Sequence, residues 1–244
     1  MKEVALPRVP VALFGLVGLV WSLLAIVSFW MIFEERIISA QILADGRFKR
    51  GVLADALSRM EAKSPPLLHP DFARAKALIT LRVGDEAVAE DVSLKGAAKA
   101  QRLRSALAVN PADSFLWLML YLVEVERNGF DVSKLPYLEQ SYAMGPREDW
   151  ITVRRNRIAL ATFAMLSDAM QERVVSEFAA LVGSDLIENA AVNLLSVGRP
   201  QRDRLLASLS STDIMLREAL MKRLLRDGVK VNVPGVVTDE WPRQ

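Results

Sequence analysis

The longest run of apolar positions lies near the start of the chain, at residues 11–33. It reads VALFGLVGLVWSLLAIVSFWMIF, with no charged side chain and only two serines and two glycines among the apolar residues. A helix rises about 1.5 Å per residue, so the run reaches roughly 34 Å, enough for a hydrocarbon layer of about 30 Å. A helix also pairs its backbone N–H and C=O groups internally, as lipid requires. The pattern predicts one transmembrane helix that follows a short tail, residues 1–10.

A cleaved secretory signal is the alternative interpretation of this run. Signals carry an apolar core of about 7 to 15 residues and then a small-x-small cleavage site. This core is longer and continues through Trp30 to Phe33 and two glutamates, so we expect it to be retained. Gly18 and Ser22 form a small-xxx-small pair, at which two membrane helices can pack closely. The alternative is that both residues simply face lipid.

The charges that flank the run indicate its orientation only weakly. The flanking cations, in chain order, are Lys2, Arg8, Arg36, Arg47, Lys49 and Arg50. Their count alone favours a cytoplasmic domain, but Glu34 and Glu35 stand closest to the run, and long domains translocate largely regardless of charge. We therefore expect a single-pass protein whose soluble part lies outside, in a periplasm-like placement.

The remainder of the chain predicts an all-α fold, because its apolar positions recur at helical spacings of three and four. Residues 34–46 read as an extension of the membrane helix that the following domain covers, ending at Asp45-Gly46. Punctuating residues then predict helices at 47–62, 71–81, 85–109 (one helix or two), 115–128, 147–165, 171–182, 185–197, 201–209 and 213–226. The helical domain is thus expected at 47–228, and residues 229–244 are expected to form an extended tail packed on it.

Residues 115–123 read FLWLMLYLV, nine apolar positions in succession. Such a run is too short to span a bilayer, but it is typical of a helix buried on all sides. Asp113 or Ser114 can cap this helix, and Asn128-Gly129 can end it. In the helix predicted at 147–165, the pattern places four residues inward: Ile151, Ile158, Ala161 and Met165.

An internal repeat covers residues 103–161. The segment SALAVNP, ending at Pro111, is echoed by QSYAMGP, ending at Pro146, and Trp117 and Trp150 follow the two prolines. The period of 33 to 35 residues resembles that of the tetratricopeptide repeat, which stacks antiparallel helix pairs. Ala106, Leu107, Pro111, Trp117 and Leu120 fit that pattern, whereas Tyr121 stands where the family has a small residue. The resemblance implies an irregular tetratricopeptide-like helical solenoid.

Composition and charge exclude several classes of function. Apolar residues make up 52% of the chain, and 31 Lys and Arg oppose 29 Asp and Glu for a net charge of +2, so no strong basic field recruits nucleic acid. Cysteine is absent and His69 is the only histidine, which excludes thiolate chemistry and the multi-ligand sites that zinc prefers. No nucleophile elbow or phosphate-binding loop occurs. We expect no enzyme activity, no metal and no cofactor.

One cluster suggests a binding surface. Arg147, Arg154, Arg155 and Arg157 surround Trp150 in the sequence, and guanidinium groups bind carboxylates and phosphates bidentately. We treat these five residues, the arginine patch, as a possible interaction site for a carboxylate, a phosphate or an acidic partner helix. The alternative is a solvated helix face that pairs with neighbouring acidic residues.

The whole arrangement is similar to single-pass tetratricopeptide-like proteins of Gram-negative bacteria associated with exopolysaccharide or O-antigen synthesis. The N-terminal span, the segments NPADSFLW and GPREDW, and the closing VPGV with Trp241-Pro242-Arg243 carry this resemblance. It implies a membrane-tethered interaction scaffold whose partners are the lipid bilayer and other membrane or periplasmic proteins. Two alternatives stay open: an accessory subunit of another inner-membrane complex, and a direct binder of a small anionic or sugar ligand.

Overall fold

The structure, a computed structural model, describes residues 8–31, 33–44, 46–49, 51–62, 69–86, 92–145 and 149–236. Within these ranges all regular secondary structure is helical, which confirms the predicted all-α class. The α-helices are α1 Arg8–Met31, α2 Phe33–Leu43, α3 Val52–Ala62, α4 Pro70–Glu86, α5 Val92–Val109, α6 Ser114–Asn128, α7 Leu135–Met144, α8 Asp149–Ala161, α9 Asp168–Gly183, α10 Ile187–Leu195, α11 Arg202–Ala207 and α12 Ile214–Arg226. Short 3-10 helices cover Val132–Lys134, Phe163–Met165, Arg199–Gln201 and Ser208–Ser211.

The chain forms two compact units. The first comprises residues 1–112 and 122–129, and the second comprises residues 113–121 and 130–244. Helix α6 is therefore divided, with its first half in the second unit and its second half in the first.

The core of the first unit is built on α4, which packs against α2, α3 and α5. Six buried side chains form its centre: Leu53, Ala56, Met60, Phe72, Ala75 and Ile79. Ile38 and Ile42 of α2 pack against this cluster. The inner face of α2 is therefore covered by the folded unit, as the apolar pattern before Asp45-Gly46 predicts.

Helix α1 has 24 residues and exposes its apolar side chains almost without exception over the positions described. Phe14, Trp21 and Trp30 are 84%, 62% and 87% exposed. None of the described helices has the combination of length and apolarity that crossing a membrane requires.

In the second unit, α9 lies at the centre and packs against α8, α10, α11 and α12. Its N-terminus is capped by Ser167, whose hydroxyl accepts a hydrogen bond from the N–H of Met170 at 3.4 Å. Asp213 caps α12 in the same way by accepting from the N–H of Met215 at 2.7 Å. Each side chain satisfies one of the backbone donors that a helix leaves unpaired at its start.

Helix α6 matches its prediction. Its buried residues include Phe115, Leu116, Leu118, Leu120, Tyr121 and Val123. One carboxylate oxygen of Asp113 accepts hydrogen bonds from the N–H groups of Phe115 and Leu116, both at 3.1 Å, so Asp113 rather than Ser114 is the cap. Gly129 follows α6 with φ +75°, a left-handed conformation that glycine adopts without the penalty of a side chain.

Several helix boundaries differ from the predicted ones, most clearly the start of α3 and the end of α4. Helix α3 begins at Val52 rather than at 47. Helix α4 runs through Gly84 and Asp85 and ends at Glu86, because one glycine costs a helix only about 1 kcal/mol and does not by itself stop it. Beyond α12, Val233 is buried and the guanidinium of Arg217 donates to the carbonyl of Pro234 at 2.5 Å, while residues 237–244 lie outside the described part.

Candidate functional site

The structure separates the residues of the predicted arginine patch. Arg154 and Arg157 are exposed, and Trp150 is 42% exposed with its ring centroid 4.8 Å from that of Phe115. Arg155 is fully buried, so its assignment to a surface patch is wrong. Arg147 lies outside the described residues.

The buried face of α8 explains this error. The sequence pattern places Ile151, Ile158, Ala161 and Met165 inward, yet only Ile151 is fully buried, Ile158 is half-buried, and the other two are exposed. The face that is buried instead carries Ile151, Thr152, Arg155, Asn156, Ala159 and Leu160. Polar side chains therefore occupy three core positions. A search for apolar periodicity consequently assigns the wrong face of α8 to the core.

Arg155 and Glu177 form the centre of a buried polar network in the second unit. The Nε and Nη2 atoms of Arg155 both donate to Oε1 of Glu177, at 2.9 and 2.5 Å. The Nη1 atom donates to the backbone carbonyl of Ser141 at 2.7 Å. The network thus joins α8 to α9 and to α7, and the side chains of the ion pair are 0% and 3% exposed.

Tyr142 of α7 completes the partners of Glu177. Its hydroxyl donates to Oε2 of Glu177 at 2.5 Å, and the guanidinium carbon of Arg155 lies 4.1 Å from the centroid of its ring. Burial, followed by the neighbouring carboxylate of Glu177, raises the pKa of Tyr142 well above its usual value. Tyr142 is accordingly held as a neutral hydrogen-bond donor.

Burial also raises the pKa of Glu177. The charge of Arg155, followed by hydrogen bonds from Tyr142, Arg155 and Asn156, acts in the opposite direction and offsets part of this increase. The carboxylate therefore depends on its partners for its charge. Removing a partner favours the protonated acid.

Two asparagines extend the network to a fourth helix. The amide of Asn156 donates to the carbonyl of Val174 at 3.0 Å, and its oxygen accepts from the amide of Asn193 at 3.2 Å. Asn193 lies on α10 and is buried, as is Asn156. Side chains of α7, α8, α9 and α10 are thus held together by polar contacts that need defined distances and angles.

The network is suited to positioning helices rather than to chemistry on a ligand. Its central side chains are buried, and the charged groups of Arg155 and Glu177 bind each other or protein donors and acceptors. Buried polar groups require such partners, so alternative packings of these helices that separate them are strongly disfavoured. Sequence reasoning missed Tyr142, Glu177, Asn156 and Asn193. The available signal was the set of polar residues at helical spacing on α8, namely Thr152, Arg155 and Asn156.

The predicted packing pair of the membrane helix lies at the surface. Gly18 and Ser22 are both exposed, and a Cβ atom built on Gly18 would meet no other heavy atom within 4 Å. This face of α1 is open in the structure.

No family model matches the chain, and neither a curated protein nor a solved structure matches it. In the described part of the chain, no group of three or more His, Asp or Glu side chains is placed to hold a metal ion. Function is therefore argued from the surface and packing of this chain.

Proposed function

We propose that this protein is a membrane-tethered helical interaction scaffold, with α1 as its anchor. The observation that carries the proposal is the exposed apolar surface of α1. Thirteen of its large apolar side chains are exposed, from Val11 through Trp30. A helix that is apolar all round belongs in a protein core or in a membrane.

The free energy of this surface in water is too unfavourable for a stable free helix. Burying one fully exposed large apolar side chain is worth about 1.5 to 3 kcal/mol. Because the thirteen side chains are only partly exposed, burying what remains exposed is worth less than thirteen times this value, roughly 10 to 25 kcal/mol in total. That range reaches or exceeds the whole stability of a typical domain, about 5 to 15 kcal/mol. Lipid removes the surface from water without requiring a partner protein.

In the described part of the chain, no helix meets the requirement for a membrane crossing. Attachment to the membrane through α1 is therefore a proposal. It is supported by the amino-acid sequence, which has no charge at residues 11–33. The proposed location is a bacterial inner membrane, with the two folded units in the periplasm.

The scaffold role is supported by the helical composition of both units. The repeat at residues 103–161 corresponds to α5 through α8: Ala106 and Leu107 are buried in α5, Pro111 follows that helix, and Trp117 lies in α6. We propose that these helices form a tetratricopeptide-like solenoid, which offers an extended surface to other proteins.

The pathway is proposed on the resemblance alone: a complex for assembly or export of exopolysaccharide or O-antigen. One observation favours the alternative of an accessory subunit in another membrane complex, namely the open face around Gly18, where a second helix can approach closely. The other alternative is direct binding of an anionic or sugar ligand at the arginine patch. Of that patch, the described surface residues are Trp150, Arg154 and Arg157.

Alkaline carbonate extraction of membranes tests the anchor. We expect the native protein to stay in the pellet, and a Val17→Arg/Trp21→Arg variant, charged on one face of α1, to be released. Val132→Arg is the matched control, because Val132 is 60% exposed, close to the 64% of Val17, but lies outside α1. Release of the native protein would overturn the anchor.

Two further experiments address placement and partners. Protease added to spheroplasts should digest the two folded units if they are periplasmic and should leave them intact if they are cytoplasmic. Crosslinking in intact cells, followed by mass spectrometry, should recover a stoichiometric protein neighbour. Recovery of no neighbour would overturn the scaffold role while leaving the anchor in place.

A further inference from the structure

Helix α2 carries apolar side chains on two faces, and only one of these faces is used by the first unit. Ile38 and Ile42 pack against the core cluster, and Ser39 between them is buried. Phe33 and Ile37 point away from that core and are 64% and 55% exposed. The second face therefore has no covering within the described residues of the unit.

This uncovered face begins at Phe33, two positions after the end of α1, whose described large apolar side chains are also exposed. Trp30, the most exposed large apolar residue among those described, precedes Phe33 and Ile37 by three and seven positions. These sequence spacings of three and four are the ones that place residues on one face of a helix. We call these three residues the interfacial strip.

The position of the strip along the chain matches the boundary of a bilayer. From Val11 to Trp30 a helix rises about 29 Å, close to the roughly 30 Å of a hydrocarbon layer. The seven positions from Trp30 to Ile37 correspond to about 10 Å at the helical rise, comparable to the roughly 5 to 8 Å of headgroups on each side. The first described exposed charges after the apolar run, Glu34 and Arg36, lie between Phe33 and Ile37 in the sequence.

We propose that the interfacial strip lies in the lipid headgroup layer and seats the first unit directly on the bilayer surface. The inference rests on the proposed anchoring of α1 and adds the depth at which the anchor ends. Tryptophan favours this layer because its ring is apolar while its indole N–H can hydrogen-bond to water or headgroups. Trp30 is of this type, whereas Phe33 and Ile37 contribute only apolar surface, with Ile37 at the water side of the strip.

The packing of α2 fixes the interfacial strip rigidly to the first unit. The opposite face of α2 contacts the core of the first unit, and the guanidinium of Arg36 lies 3.4 Å from the carboxylate of Asp71 at the start of α4. Helix α4 packs on α2, α3 and α5, so the depth of the strip sets the height of the whole unit. No flexible linker separates α2 from the unit, because α2 is part of its core.

The absence of cysteine in the chain permits a direct measurement of depth. Single cysteines at Val20, Phe33 and Ile37 of the full chain would carry a nitroxide label in vesicles of phosphatidylcholine and phosphatidylglycerol. Collisions with oxygen report the hydrocarbon, and collisions with a nickel chelate report water. Val132→Cys serves as the control, since Val132 is 60% exposed, like Ile37, but belongs to the second unit. Circular dichroism would verify that each labelled variant keeps its helix content.

We expect the oxygen-to-nickel collision ratio to be highest at Val20, intermediate at Phe33 and Ile37, and lowest at Val132, with several-fold steps. If Val20 is deep but Ile37 matches Val132, the unit stands off the membrane and the inference is wrong, although the anchor holds. If labels at Phe33 and Ile37 are shielded from both reagents, a protein covers the strip, and the inference is again wrong. If Val20 itself matches Val132, the anchor fails together with the strip.

Discussion

The sharpest stability prediction concerns Glu177. Replacing it by glutamine keeps the shape of the side chain but removes the charge that neutralises Arg155, whose side chain is 0% exposed. Arginine cannot release its proton in a protein, so the buried cation stays uncompensated. Breaking a buried ion pair from one side typically costs about 3 to 5 kcal/mol.

Removing Arg155 is expected to destabilise the protein less than removing the charge of Glu177. Arg155→Met leaves Glu177 without its cation, but burial already raises the pKa of Glu177, so the carboxyl can take up a proton and become neutral. We therefore expect Arg155→Met to cost less than Glu177→Gln. A triple variant, Arg155→Met/Glu177→Leu/Tyr142→Phe, removes every charged member and should recover most of the loss, since buried ion pairs can often be replaced by apolar groups.

Thermal unfolding of the full chain in mild detergent, followed by circular dichroism, measures these effects. A loss of 1 kcal/mol lowers Tm by about 2 to 4 °C in a chain of this size, so Glu177→Gln should lower Tm by roughly 6 to 20 °C.

Glu172→Gln is the matched control. Glu172 lies on the same helix and also contacts an arginine, Arg204, at 2.5 Å, but its side chain is 69% exposed. An exposed pair contributes at most about 1 kcal/mol. Equal shifts in Tm for the Glu177→Gln and Glu172→Gln variants would refute the argument that burial makes the Arg155–Glu177 pair important for stability.

Three further predictions follow from individual residues. Burial raises the pKa of Tyr142, so above about pH 10 the unfolded chain loses this proton first. The native chain should then lose up to about 1.4 kcal/mol per pH unit relative to Tyr142→Phe, measured by urea unfolding at pH 8 to 11; a constant difference would contradict this. Asp113→Ala should lower the free energy of unfolding, measured with urea, by about 0.5 to 2 kcal/mol because α6 loses its cap. Asp113→Ser should retain most of that stability, because serine also caps helices. Gly129→Ala should cost about 1 to 2 kcal/mol through its positive φ, and Gly129→Asn less; equal Tm values for the two would exclude backbone strain.

Features that depend on neighbours along the chain could be predicted from the sequence. The cap at Asp113 and the end at Gly129 act within a few residues of α6, so their chemistry is visible in the sequence. The burial of α6 followed from nine consecutive apolar residues, which leave no polar face to turn toward water.

Features that depend on residues far apart in the chain could not be predicted. Arg155 looked like one member of a basic surface, because its neighbours Arg154 and Arg157 are exposed. Its partner Glu177 lies 22 residues away on another helix, and nothing in the local pattern connects the two. The orientation of α8 was missed for the same reason, since polar residues enter a core only where a distant partner meets them.

The amino-acid sequence alone thus determined that the chain is helical, where its most apolar segment lies, and how several helices begin and end, because hydrophobic periodicity and capping are local. Tertiary structure alone decided which face of α2 meets the core and which residues surround Arg155. Those outcomes depend on packing between helices, which brings the buried guanidinium of Arg155 into contact with the carboxylate of Glu177, a residue distant in the sequence.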